Sequence, residues 1–137
     1  MGQTATGKTS LSIEIAQQYQ GEIISADSRQ VYLGMDIGTA KISPEEMKGI
    51  PHHMIDIVDP HQVFTVVEYV KIGTKIINDI LKRKNIPIIC GGTGMYIDAL
   101  VYQHKCPNIA PNEKLRKELE LLSAQELFIR LQQGDPK

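Results

Sequence analysis

Tryptophan is absent from the 137 residues, and phenylalanine and tyrosine together make up only 5% of them. So thin an aromatic content leaves little stacking surface for single-stranded nucleic acid. Cysteine is nearly as scarce, with only Cys90 and Cys106. Two thiols cannot staple a disulfide scaffold, and reduced thiols in a cytoplasmic protein are the simpler expectation. An excess of one charge is also missing. The 15 basic residues nearly cancel the 16 acidic ones, for a net charge of -1. That excludes a strongly basic nucleic-acid binder as a description of the whole chain, though not a local basic face. No apolar run approaches the roughly 18 residues of a membrane span, so no membrane association is expected. The opening residues, Met1 to Lys8, are rich in glycine and threonine rather than forming an apolar signal peptide. What remains is 42% apolar and 23% charged residues, an ordinary globular composition over one domain's worth of length.

Short β-branched runs alternate with helical patterns. Glu22-Ile23-Ile24-Ser25 and Ile86-Pro87-Ile88-Ile89-Cys90 have the texture of buried strands. Lys8 to Tyr19 spaces Leu11, Ile15 and Tyr19 four apart, which predicts a helix with that stripe inward. Val66 to Lys82 places Val66, Val70, Ile77 and Leu81 on one face. Thr65 to Glu68 has capping-box spacing just ahead of it. Strands alternating with helices imply parallel βαβ units. Residues 103–111, with two prolines and no period, form a linker. Asn112 to Leu122 then predicts a charged amphipathic helix, and Ser123-Ala124-Gln125-Glu126 opens another that ends near Gly134. The expected division is a catalytic core over residues 1–105 and the start of a helical lobe over 106–137.

Gly2-Gln3-Thr4-Ala5-Thr6-Gly7-Lys8-Thr9 fits G-x-x-x-x-G-K-[ST]. Glycines let the backbone curl until several N–H groups face one anion. The helix that follows adds its positive end. Lys8 supplies a cation for the terminal phosphates, and Thr9 a hydroxyl for Mg²⁺. A chance Gly/Thr turn is the alternative, disfavoured by the helical pattern that begins at Lys8. Such a loop is expected between a strand and a helix, and only Met1 precedes Gly2.

A phosphate cradle does not name a reaction. An NTPase carries a carboxylate at the end of an apolar strand to hold its metal. The strand Ile86 to Cys90 instead runs into Gly91-Gly92-Thr93-Gly94. The strand Glu22 to Ser25 leads into Asp27, at the edge where open α/β sheets bind ligands. Asp27 is therefore a candidate metal ligand or general base, with a turn-capping aspartate as the alternative. Arg29 and Gln30 could meet base edges or phosphates, or simply solvate a turn.

Four blocks in register carry a family resemblance: Gly2 to Thr9; Gly21 to Tyr32 with Asp36-Ile37-Gly38-Thr39-Ala40-Lys41; Pro51-His52-His53-Met54-Ile55-Asp56 with Val58-Asp59-Pro60; and Gly91-Gly92-Thr93-Gly94-Met95-Tyr96. In these the chain resembles the tRNA dimethylallyltransferases. The resemblance implies a parallel α/β sheet of the P-loop NTPase type with flanking helices, followed by the start of a helical tRNA-binding insertion. It implies transfer of a dimethylallyl group from dimethylallyl diphosphate to N6 of the adenosine 3′ to the anticodon, without ATP hydrolysis. Asp27 would be the general base. Lys8 and Thr9 would assist departure of pyrophosphate with Mg²⁺, and Gly2, Gln3, Thr4, Ala5, Thr6, Gly7, Lys8 and Thr9 would cradle the diphosphate. Asp27, Ser28, Arg29, Gln30, Thr93 and Arg116 would contact the tRNA anticodon stem-loop, whose target base must flip out of its stack. Gln3 and Thr6 stand where proline and serine are usual in the family; neither side chain is needed for a backbone-made nest. Family members are about twice this length, so the resemblance implies a fragment lacking pieces at both ends. A cytoplasmic monomer is expected.

The alternatives are a free-nucleotide isopentenyltransferase, a P-loop small-molecule kinase, and an inactive nucleotide-binding fragment. A metal at His52, His53 and Asp56 is disfavoured, because adjacent residues of an extended segment point to opposite faces. Cys90 is expected to be a buried small side chain, and Lys82-Arg83-Lys84 a solvated helix end.

Overall fold

The structure, a computed structural model, describes residues 7–102 and 111–135. The chain divides into two compact units, Met1–Lys105 and Cys106–Lys137. The first is an α/β layered unit. Helix α1 spans Lys8–Tyr19, strand β1 Gly21–Ser25, β2 His52–His53, α2 Val66–Lys82, β3 Ile86–Cys90 and α3 Gly94–Val101. The strands form one parallel sheet in the order β2-β1-β3. Ile23 pairs with His52 and Ile88, and Ile24 with His53 and Ile89.

Alternation along the strands divides the core in two. Ile23, Ile88 and Cys90 pack with Ile13 and Ala16 of α1 on one face. Ile24 and Ile89 pack with Tyr69 and Ile80 of α2 and Tyr96 and Leu100 of α3 on the other. A parallel sheet covered on both faces carries apolar residues at consecutive positions, which is why both runs look uniformly hydrophobic.

Helix α1 is rotated from its expected face, whereas α2 keeps its expected face except at Leu81. In α1 the buried residues are Ser12, Ile13 and Ala16, whereas Leu11 and Tyr19 are more than half exposed. The cause is close packing. Gly21 follows the helix almost at once, and a Cβ there would sit 3.2 Å from the Cα of Ala16. Only a small residue such as Ala16 fits at that point of closest approach, and Ser12 satisfies its buried hydroxyl by donating to the Thr9 carbonyl at 2.8 Å. In α2 the buried line is Tyr69, Gly73 and Ile80; Val66, Val70 and Ile77 flank it and Leu81 is exposed. The expected capping box forms: Thr65 Oγ1 accepts from the Glu68 N–H, and the Glu68 carboxylate accepts from the Thr65 N–H at 2.8 Å. The buried Tyr69 ring stacks on Tyr96 with centroids 4.1 Å apart, and its hydroxyl donates to the Ser25 carbonyl at 3.1 Å.

Glu22 is buried at the start of β1. Its carboxylate accepts from Arg83 at 2.8–3.1 Å and from Asn85 at 2.8 Å, and lies 2.7 Å from His53 Nε2. Arg83 therefore belongs to an ion-pair cluster, correcting the expected solvated helix end. The Arg83 hydrogen bonds outweigh burial and, with Asn85 and His53, hold the Glu22 pKa down to about 2 against an ordinary 4.5. A carboxyl with a depressed folded pKa contributes stability that is complete above about pH 4.5 and is lost as pH falls through about 2. Allowing for screening by the half-exposed Arg83, that contribution is about 2 kcal/mol. Urea unfolding of Glu22→Gln should accordingly show a smaller stability loss between pH 7 and pH 3 than the parent.

The second unit holds α4 (Glu113–Glu120) and α5 (Ala124–Gly134). Asn112 caps the first by accepting from the Leu115 N–H at 3.0 Å, and Ser123 with Glu126 forms a capping box on the second. Both match the expected helices. The expected linker lies almost entirely outside the described residues, as does Cys106. Among the described residues no helix is long and apolar enough to cross a membrane.

Candidate functional site

The carboxyl ends of β1 and β3 open into a cleft of about 260 Å³, lined by Gly7, Lys8, Thr9, Ser25, Asp27, Gln30, Thr39, Ala40 and Cys90 to Gly92. Gly2, Gln3, Thr4, Ala5 and Thr6 lie outside the described residues. Gly7, with φ +77°, turns the chain into α1, and its carbonyl accepts the Leu11 N–H at 3.1 Å. A left-handed backbone here suits glycine, and the residues that open α1 line the cleft. Lys8 and Thr9 follow in the first turn and line the wall.

Asp27 lines the same cleft, two residues beyond β1. Its Oδ1 accepts the Arg29 N–H at 2.8 Å and the Gln30 N–H at 3.3 Å. The turn-capping interaction is thus present, and it leaves Oδ2 with no hydrogen bond to another described residue. One oxygen fixes the orientation while the other can serve a ligand.

Backbone and side-chain bonds hold this turn against the glycine turn after β3. Ala26 donates to the Cys90 carbonyl at 2.8 Å, Thr93 donates to the Ala26 carbonyl at 3.0 Å, and the Ser28 N–H donates to Thr93 Oγ1 at 3.0 Å. Ser28 and Thr93, 65 residues apart, are therefore joined directly. Gln30 is turned inward: its amide donates to the carbonyls of Thr39 at 3.1 Å and Ala40 at 3.4 Å, and its Oε1 accepts from Ser25 Oγ at 3.4 Å. Arg29 is exposed and lines a neighbouring open groove of about 510 Å³ with Gly34 to Thr39. Arg116 lies on α4, in the second unit.

A clamp that the sequence did not announce holds the outer loop. Lys41 Nζ, almost fully buried, reaches Asp36 at 2.7 Å, Asp56 at 2.5 Å and the Tyr32 carbonyl at 2.9 Å. Burial pulls its pKa down, but the two carboxylates prevail and hold the ammonium above the ordinary lysine range. Ladder-like bonds add to this: Leu33 donates to Val58, and Asp56 to Gln30. Cys90 is half-buried and lines the cleft, with Sγ 3.7 Å from the Lys8 carbonyl, so the expectation of a wholly buried thiol is corrected. His52 and His53 face different partners, the Ile50 carbonyl and Glu22. Among the described residues no three His, Cys, Asp or Glu side chains cluster as a metal cage. A hard divalent cation would instead take the Thr9 hydroxyl at the cleft wall, completed by phosphate and water.

A parallel sheet with a glycine turn, lysine and threonine opening α1 defines a phosphate-loop-like α/β protein. A family model described as IPP transferase matches residues 30–137. A tRNA dimethylallyltransferase of Anoxybacillus flavithermus is 48% identical over 136 residues, covering 99% of this chain and 44% of that protein. The crystal structure of a full-length tRNA isopentenylpyrophosphate transferase from Bacillus halodurans superposes with a TM-score of 0.77 at 46% identity, over 99% of this chain and 46% of the other. That of a eukaryotic dimethylallyltransferase acting on tRNA gives 0.86 at 33% identity, over 98% and 34%. The chain belongs to the IPP transferase family. It spans less than half the length of these relatives.

Proposed function

We propose that this chain forms the diphosphate-binding and base-bearing part of a tRNA prenyltransferase. The observation that carries the reading is that Asp27, Lys8 and Thr9 line one cleft, with Oδ1 of Asp27 held by its own turn. The substrates are dimethylallyl diphosphate and an anticodon stem-loop, with acceptance at N6 of the adenosine 3′ to the anticodon, in the cytoplasm.

The N6 lone pair attacks C1 of the dimethylallyl group. The C1–O bond breaks and pyrophosphate leaves with the bonding pair. Asp27 takes the proton from N6, relieving the positive charge that develops on a poorly nucleophilic amine. Lys8 and the N–H groups at the start of α1 stabilise the departing charge. Thr9 would hold Mg²⁺, which supplies further neutralisation of the diphosphate. Ser28 and Thr93, joined to each other beside the Asp27 turn, and Arg29 in the neighbouring groove would receive the flipped nucleotide and its neighbours.

The test is pyrophosphate release by a version extended to the relatives' length. Release should require dimethylallyl diphosphate and the stem-loop. Release with AMP alone favours the free-nucleotide enzyme, and phosphate transfer from ATP favours a kinase. Lys8→Ala should weaken dimethylallyl diphosphate binding about tenfold or more, the loss of one charge-assisted contact, in a direct titration.

A further inference from the structure

Lys41 has no part in the chemistry above, yet its ammonium closes a ring of bonds that reaches Asp27. The side chain is 5% exposed, far deeper than the carboxylates it pairs with, Asp36 at 63% and Asp56 at 41%. Burying an ammonium is costly unless its donors are matched, and its three donors meet Asp36, Asp56 and the Tyr32 carbonyl.

From Asp56 the ring continues through the backbone. The Asp56 N–H donates to the Gln30 carbonyl at 3.1 Å. The Gln30 amide donates to the Thr39 carbonyl at 3.1 Å, two residues before Lys41. Gln30 is thereby gripped at both its carbonyl and its side chain, and its own N–H donates to Asp27 Oδ1 at 3.3 Å. Backbone conformation points the same way independently. Ala40 has φ +48° and Asp56 φ +53°, a left-handed form that aspartate tolerates better than alanine. Such residues persist where their surroundings over-determine them. Ala40 sits between the Thr39 carbonyl and Lys41, and it lines the cleft with Thr39, Gln30 and Asp27. Lys41 is not itself among the cleft-lining residues.

We propose that Lys41 is a positioning residue for Asp27. Its ion pairs hold the strained 39–40 turn and the Asp56 backbone against Gln30, and Gln30 fixes the Asp27 carboxylate for proton transfer. The catalytic consequence rests on the prenyl-transfer reading; the ring of bonds does not.

Lys41→Met keeps the length of the side chain and removes its charge and donors. Arg83→Met is the matched control: it unpairs the buried Glu22 at the other end of β1 and leaves the Asp27 turn alone. In the extended enzyme both should lower the unfolding midpoint. Lys41→Met should also lower kcat about tenfold, with KM for dimethylallyl diphosphate within about twofold of the parent because Lys8 and Thr9 are untouched. Asp56→Asn, which keeps an oxygen for Lys41 and loses the charge, should lower kcat about threefold. Arg83→Met should keep kcat within about twofold of the parent, as expected of a distant site. Amide hydrogen exchange reads the ring without the reaction: relative to the α2 amides, the Arg29 and Gln30 N–H groups should exchange about tenfold faster in Lys41→Met. Parent kcat in Lys41→Met, or equal loss of kcat in Lys41→Met and Arg83→Met, overturns the proposal. So does unchanged relative exchange at Arg29 and Gln30. If Lys41→Met does not fold, Asp56→Asn decides by the same two readouts. If the parent transfers no prenyl group, the prenyl-transfer reading fails while the exchange comparison still decides the role of Lys41.

Discussion

Asp27→Asn should lower the rate of prenyl transfer by about 10²–10⁴-fold while pyrophosphate binding stays within about twofold of the parent. The asymmetry follows from the two carboxylate oxygens. Asparagine retains an oxygen that can accept the Arg29 and Gln30 N–H groups, so the turn persists. It replaces the second oxygen with an amide that cannot take a proton from N6. Lys8, Thr9 and the helix start are untouched, so the diphosphate still has its cradle. Single-turnover transfer and a pyrophosphate titration on the same protein measure the two halves. Full transfer by Asp27→Asn removes Asp27 as the base, whereas lost pyrophosphate binding makes its role electrostatic or metal-holding instead.

Gly91→Ala should be the most destabilising single-methyl change in the sheet, costing about 3 kcal/mol or more. An alanine Cβ at residue 91 would drive into the Ala26 backbone, lying 2.8 Å from its Cα and closer still to its carbonyl. Backbone cannot swing aside as a side chain can. Ala26 is fixed by its bond to Cys90 and by Thr93 bonding to its carbonyl. Relief therefore means separating β1 from the glycine turn, which also displaces Asp27 from the phosphate side. Thermal unfolding should fall by about 10 °C or more. Gly38→Ala, whose Cβ meets nothing within 4 Å, should change stability by less than about 0.5 kcal/mol. Equal midpoints for the two variants would show that the turn yields more easily than its bonds suggest.

Local signals in the sequence located the elements well. β3 and α1 occupy the expected residues, and the two capping boxes form from side chains three apart, a spacing visible without tertiary information. Strand β2 has only His52 and His53, too short for any period, and α3 follows the glycine turn with Thr93 at its N-cap, whose hydroxyl accepts from Ser28 instead of capping the helix. The α1 face differs from the expected one because hydrophobicity points to the stripe of large side chains, whereas the approach to the sheet buries Ser12 and Ala16 beside Ile13; the α2 face packs as expected except at Leu81. In the site, Asp27, Lys8 and Thr9 were legible because each sits at the end or start of an element. The Lys41 clamp was not, since Asp56 is 15 residues away and meets Lys41 only through the fold. Cys90 belongs to the cleft wall for the same kind of reason: its strand position suggested burial, but the sheet ends there.

The measurement that bears most directly on the account is the location of the prenyl group. The extended enzyme is incubated with dimethylallyl diphosphate, Mg²⁺ and an unmodified anticodon stem-loop, and the RNA is digested to nucleosides for mass spectrometry. N6-dimethylallyladenosine at the position 3′ to the anticodon, formed one for one with pyrophosphate, is the expected result. Unmodified RNA, together with a phosphorylated small molecule formed from ATP, would contradict it and leave the cleft as a kinase site.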